Sequence, residues 1–367
     1  MSKHNPKNER IKREYVLFLK EAKRQSEQSI DAVTAALSRF ESNTKFRDFK
    51  AFHYQQAIAF KKHLEKQVNQ QTGKKLSKST INSTLRHLKT FFQWLSMQPG
   101  YKSRINYTDT EYFNMSEKDA RVATARREKA VPTIEQIMRV IQLMPINTEI
   151  EQRDRAVIAF TLLTGARDSA IASLKLKHID FLTDSIFQDA REVKTKFSKT
   201  FTTYFFPVSD DIRKIVLDWV NYLREELLYG NDDPLFPKTE VGLGDTRRFQ
   251  ALGFKREHWS GAATIRLIFR KAFDRAELPY FNPHSFRGTL VRLGETLCQT
   301  PEDFKAWSQN LGHQRILTTF ISYGEVQAQR QGEILQQLKS PNLQLEQNVS
   351  DLAKALVREM NGPTCIC

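Results

Sequence analysis

The chain has 367 residues, enough for two domains that each bury a core. A composition of 40% hydrophobic and 27% charged residues excludes a disordered or fibrous chain, and no apolar run reaches the roughly 18 residues of a membrane span. The net charge of +15 is uneven: residues 1–131 carry 27 Lys and Arg against 13 Asp and Glu, while residues 132–367 carry 30 against 29.

In chain order, "MSKHNPKNERIKREY" is basic without an apolar stretch and does not read as a secretory signal. The expectation is a cytoplasmic protein, and three cysteines (Cys298, Cys365, Cys367) fit a reduced compartment. Helices are expected over Tyr15–Gln25, Ile30–Phe40 and Tyr54–Gln70. The clearest follows in "SKSTINSTLRHLKTFFQWL", where Ile81, Leu85, Leu88, Phe92 and Leu95 recur at steps of four and three. Ser77 or Ser79 caps its start. Its other face carries Lys78, Asn82, Arg86 and Lys89, which is either a solvated surface or a phosphate-contacting one. So basic a first third implies a polyanion partner, with phosphate neutralisation driving binding. A membrane surface is not favoured, since the apolar residues are needed for a helical core.

Residues 117–131, "EKDARVATARREKAV", are polar and basic and read as a linker between a domain over 1–116 and one over 132–335. Arg126 and Arg127 there would track a nucleic-acid backbone. Pro132-Thr133 starts the next helix. "DRAVIAFTLLTG" is an apolar helix stopped by Gly165, and residues 174–208 read as short strands with hairpin turns. Helices are expected at 211–228, 262–276, 286–297 and 301–310, with amphipathic segments in the tail. The fold class is thus mostly α with a small β-sheet or hairpin, in two domains.

Four separated pieces carry chemistry. Arg167 follows the Gly165 turn; Lys194, Lys196 and Lys199 surround a hairpin tip; His284 and Arg287 stand three apart on a helix face; and "LGHQRILTTFISY" holds His313 and Tyr323. On one continuous helix His313 and Tyr323 would lie about 15 Å apart along the axis, so a shared site requires a chain break between them. Two guanidiniums can grip the non-bridging oxygens of one phosphodiester. A tyrosine hydroxyl in such a positive site can attack phosphorus, a lysine can protonate the leaving oxygen, and a histidine can orient the phosphate. No carboxylate cluster for Mg²⁺ is evident, and strand transfer through a phosphotyrosine needs no metal or other cofactor.

These pieces, in this order, resemble the tyrosine recombinases of the phage integrase family from about residue 10 to 335. "TGARDSAIASLKLKHID" is similar to the first Arg box, "PHSFR" to the His-x-x-Arg box and "LGHQRILTTFISY" to the Leu-Gly-His…Tyr box. The resemblance implies Arg167 and Arg287 as catalytic arginines, His284 and His313 as auxiliary histidines, and Tyr323 as nucleophile. Lys196 best matches the family's Thr-Lys hairpin, whereas counting back from Pro207 favours Lys199. It further implies a helical core-binding domain and a catalytic domain clamped around double-stranded DNA at a specific site. A homotetrameric synapse is implied too, with a tail helix over 336–367 exchanged between protomers and a directionality factor as a further partner. Integration or excision of a mobile element is the expected role; a type IB topoisomerase-like relaxer and a catalytically vestigial DNA-binding protein are the alternatives. Two departures stand out: Ala170 where the family often has an acid, and Gly288 where His is common. Residues 237–259, "PKTEVGLGDTRRFQALGFKREHW", are extra, either a DNA-contacting loop or plain surface.

Overall fold

The computed structural model describes residues 4–69, 73–125, 130–243 and 249–312. Within them the chain is mostly helical with two small antiparallel sheets, as expected. It divides into two compact units, residues 1–126 and 127–367.

The first unit contains α1 (Pro6–Leu17), α2 (Glu27–Asn43), α3 (Tyr54–Lys66), α4 (Lys78–Leu95) and α5 (Glu117–Thr124). The helix expected from Tyr15 begins at Pro6, because Asn5 accepts the Lys7 N–H and proline presets the first turn. Ser77 is the cap of α4, its hydroxyl accepting the Thr80 N–H at 3.1 Å. The stripe Ile81, Leu85, Leu88, Phe92 and Leu95 is buried as its period requires. The core it faces is aromatic: Phe52 and Phe92 stack at 3.9 Å, and Phe40 meets Phe60 and Phe92 edge-on. One buried carboxylate, Glu41, accepts from Asn8 and Lys12, and Asn8 also accepts the Phe49 N–H, so three elements share one satisfied polar centre.

The segment read as linker opens with α5, capped by Ser116 and packed on α4. Periodicity could not reveal it, since none of its residues is buried. A contact that anchors it is the ion pair from Lys78 of α4 to Asp119, at 3.0 Å.

The second unit is built around α7 (Glu149–Thr164), which is buried on nearly every side from Ala156 to Thr164. Before it lies α6 (Ile134–Leu143), started by a reciprocal capping pair of Thr133 and Gln136. Gly165 ends α7 in the left-handed region, φ 59°. The single turn α8 (Asp168–Ile171) and a three-stranded sheet follow, with β1 (Ile179–Asp180), β2 (Ser185–Gln188) and β3 (Phe201–Tyr204) paired in that order. Next come α9 (Asp210–Asn221), α10 (Ala263–Arg275), α11 (Pro283–Leu297) and α12 (Pro301–Asn310). Helix α11 begins three residues earlier than expected, because Asn282 caps it and Pro283 occupies its first position. Between α9 and α10, the extra segment forms an antiparallel hairpin of β4 (Lys238–Leu243) and β5 (Phe249–Lys255), with a register shift at Glu240/Val241. No helix among the described residues is long and apolar enough to cross a membrane.

Candidate active site

Arg287 is the hub. It projects from the second turn of α11 and is 5% exposed. Its Nη1 donates to the Gly165 carbonyl at 2.6 Å and its Nη2 to the Leu311 carbonyl. Gly165 stands two residues before Arg167, and Leu311 two residues before His313. One buried guanidinium therefore draws the first Arg box and the Leu-Gly-His box onto the His-x-x-Arg helix. Burial, with the Arg167 guanidinium adding to it, pushes the Arg287 pKa down to about 9, which still leaves it charged at neutral pH.

Arg167 is the residue before α8 and is half-buried. Burial lowers its pKa, and no acidic group among the described residues offsets that. Two like charges sit close together in a desolvated place. A bound anion would offset this repulsion.

The hairpin lysines differ in surroundings. Lys194 is exposed, but its backbone is fixed: its N–H donates to Ser173 Oγ at 2.8 Å, and its carbonyl accepts from Ser169 Oγ at 3.3 Å. Lys196 opens a short 3-10 turn, Lys196–Ser198, its ammonium 5.0 Å from the ring of Phe197, which is 76% exposed. The Lys199 ammonium lies 5.6 Å from the Phe201 ring, and that ring edge packs on Gly312. The carboxamide of Asn310 reinforces this contact, accepting the Tyr204 N–H at 2.7 Å and donating to the Tyr204 carbonyl at 2.9 Å. So β3 is stitched to the end of α12, immediately before Leu311-Gly312.

His284 is exposed on the first turn of α11, one turn before Arg287. Gly288 has a physical reason: a Cβ there would meet Val131 Cγ1 at 2.6 Å. Ala170 is 1% exposed and belongs to the apolar core, where burying a carboxylate is costly. Asp168 turns instead to α10, its Oδ2 accepting from Arg266 Nε at 2.9 Å. His313 and Tyr323, and Arg126 and Arg127, lie outside the described residues.

On α4 the predicted contact residues are not alike. Lys78 bonds Asp119, and Lys89 bonds Glu111 at 2.7 Å and Asn114 at 3.0 Å. Arg86 is exposed and Asn82 partly so. Sequence reasoning did not find Asn310 or Arg266, whose only signal is polarity in a helix.

Comparison with known proteins agrees with this geometry. Residues 131–330 match the model of the phage integrase family. A tyrosine recombinase XerC of Lactobacillus leichmannii is 24% identical over 254 residues, spanning 68% of this chain and 73% of the relative. Among solved structures, a lambda integrase dimer bound to a COC′ core site superposes with a TM-score of 0.59 at 12% identity, covering 87% of this chain and 96% of that one. The Tn1549 transposon integrase in complex with transposon right end DNA gives a TM-score of 0.55 at 15% identity, covering 90% and 99%. With the family model matched over more than half its length, the chain belongs to the phage integrase family of tyrosine recombinases.

Proposed function

We propose that the protein is a site-specific recombinase that cuts and rejoins duplex DNA through a 3′-phosphotyrosine on Tyr323, integrating or excising a mobile element. The observation that carries this reading is the Arg287 hub, which gathers Arg167 and the chain entering His313 around a desolvated pair of guanidiniums. In the reaction, the two arginines grip the scissile phosphate and stabilise its growing charge. The Tyr323 hydroxyl gives its proton to one of the two histidines, and its oxygen attacks phosphorus. The P–O bond to the 5′-oxygen breaks, and that oxygen takes a proton from a hairpin lysine. A 5′-hydroxyl from another strand then reverses the step. His284 and His313 orient the phosphate, and the scheme uses no metal.

Of the hairpin lysines we assign the acid to Lys199 in place of Lys196. Lys199 is the one whose ring partner packs on Gly312, whereas Lys196 accompanies an exposed aromatic. DNA affinity comes from Arg86, Asn82 and Arg126 of the first unit and from Arg127, where the second begins, with Lys78 and Lys89 joining once their carboxylates let go. We further propose assembly as two dimers on two sites, with the tail exchanged between protomers; membership of the recombinase family supports this reading.

The test incubates the protein with a nicked duplex carrying the junction that flanks its own gene. A covalent adduct is expected with wild type and none with Tyr323→Phe; equal adduct from the variant would remove Tyr323 as nucleophile. Lys199→Ala should cleave roughly 100-fold or more slowly, the usual worth of a general acid. A slow Lys196→Ala beside a normal Lys199→Ala would reverse the lysine assignment.

A further inference from the structure

Arg167 stands at the head of α8, a helix of one turn. One turn fixes several dihedrals for a single hydrogen bond and has no stability of its own. Its placement must come from side chains that hold it to larger elements, and two such attachments flank Arg167.

On one side, Ser169 Oγ donates to the Lys194 carbonyl and the Lys194 N–H donates to Ser173 Oγ, joining α8 to the lysine-bearing turn. On the other side, the Asp168 carboxylate is divided. Its Oδ1 accepts the Ser169 N–H at 2.9 Å, and its Oδ2 accepts Arg266 Nε at 2.9 Å and lies 2.8 Å from Arg266 Nη2. Arg266 belongs to the first turn of α10, and α10 is locked to the Arg287 helix through Phe269 against Phe286 at 5.0 Å. The route is therefore Arg167, Asp168, Arg266, α10, α11, Arg287.

We propose that Asp168 and Arg266 form a positioning pair that sets the distance between the two guanidiniums, acting on catalysis through Arg167 without touching substrate. The inference rests on the phosphoryl-transfer reading above. It separates Asp168 and Arg266 from other surface ions: the pair is solvent-facing on the Arg266 side, 60% exposed, so its removal barely affects folding. A small shift of a phosphate-gripping arginine, by contrast, costs rate steeply.

The experiment measures single-turnover cleavage of the nicked duplex, duplex-binding affinity and melting temperature for Asp168→Asn, Arg266→Gln and the double variant. Each single variant should cleave about tenfold slower, and the double variant should also be about tenfold slower and not a hundredfold, because both changes break one link. Affinity and melting temperature should stay at wild-type values. Single variants that cleave normally would overturn the pair, and so would multiplying defects. Loss of affinity in Arg266→Gln alone would also overturn it, making Arg266 a DNA contact. If wild type itself forms no adduct, the catalytic reading has failed; if wild type cleaves and the single variants match it, only the positioning role has failed.

Discussion

A buried arginine is costly unless every part of its charge is used, and Arg287 uses its guanidinium twice. It holds the Gly165 and Leu311 carbonyls in place and keeps a positive potential beside Arg167. Lysine would retain the charge but not the planar fork, so one buried carbonyl would lose its partner. Arg287→Lys is expected to destabilise the second unit by roughly 1–3 kcal/mol and to abolish measurable cleavage, seen by thermal melting and by adduct assay. Gly312 makes a different demand. Its φ is 67°, and a Cβ would come within 2.8 Å of the Phe201 ring. Gly312→Ala should therefore cost at least ~1–2 kcal/mol from the left-handed backbone alone. It should also slow cleavage by displacing Phe201 and Lys199; a variant with wild-type melting and wild-type cleavage would disprove the contact. The residues proposed for the chemistry were legible as types and order: Arg167, His284 and Arg287 stand in the boxes by which the chain resembles its family. Lys199 was not separable from Lys196 by spacing, because what distinguishes them is a ring from β3 meeting a glycine more than a hundred residues away.

At the scale of elements, α4 and α5 show how a basic face can be occupied before any partner arrives. Bonding to Asp119 raises the Lys78 pKa, and the same bond holds Asp119 below its ordinary 3.8. A phosphate must displace that carboxylate to reach Lys78. Asp119→Asn should accordingly tighten binding of a short duplex by roughly twofold to fivefold, the scale of an exposed ion pair, as read by fluorescence anisotropy. A lowered acid pKa means the pair persists until pH falls through the folded value, so the gain should be the same at pH 5 and pH 7. Unchanged or weaker binding would show that Lys78 contributes nothing to the interface. The apolar stripe of α4 was readable because its period is local. The docking of α5 was not, since polar helices without a stripe depend on which charge lies opposite.

At the scale of the whole molecule, each unit has its own core, one centred on stacked phenylalanines and the other on α7. Residues 4–125 expressed alone should melt cooperatively and bind duplex DNA, with affinity falling steeply and linearly on a log–log plot of salt. A salt-independent affinity would argue against phosphate contacts by this unit. Sequence alone determined the helical class, the charge asymmetry and the order of the side chains proposed to react, because each of these depends on composition or on neighbours within one or two turns. It missed the β4–β5 hairpin, where Gly242, Gly253 and a register shift interrupt the alternation that marks a strand. Only the tertiary structure decided that Gly165, Arg287 and Leu311 meet, that β3 is stitched to Asn310, and that Asp168 reaches Arg266. Those contacts join residues 24 to 122 positions apart, and a repeating local pattern carries no record of which distant groups burial will bring together.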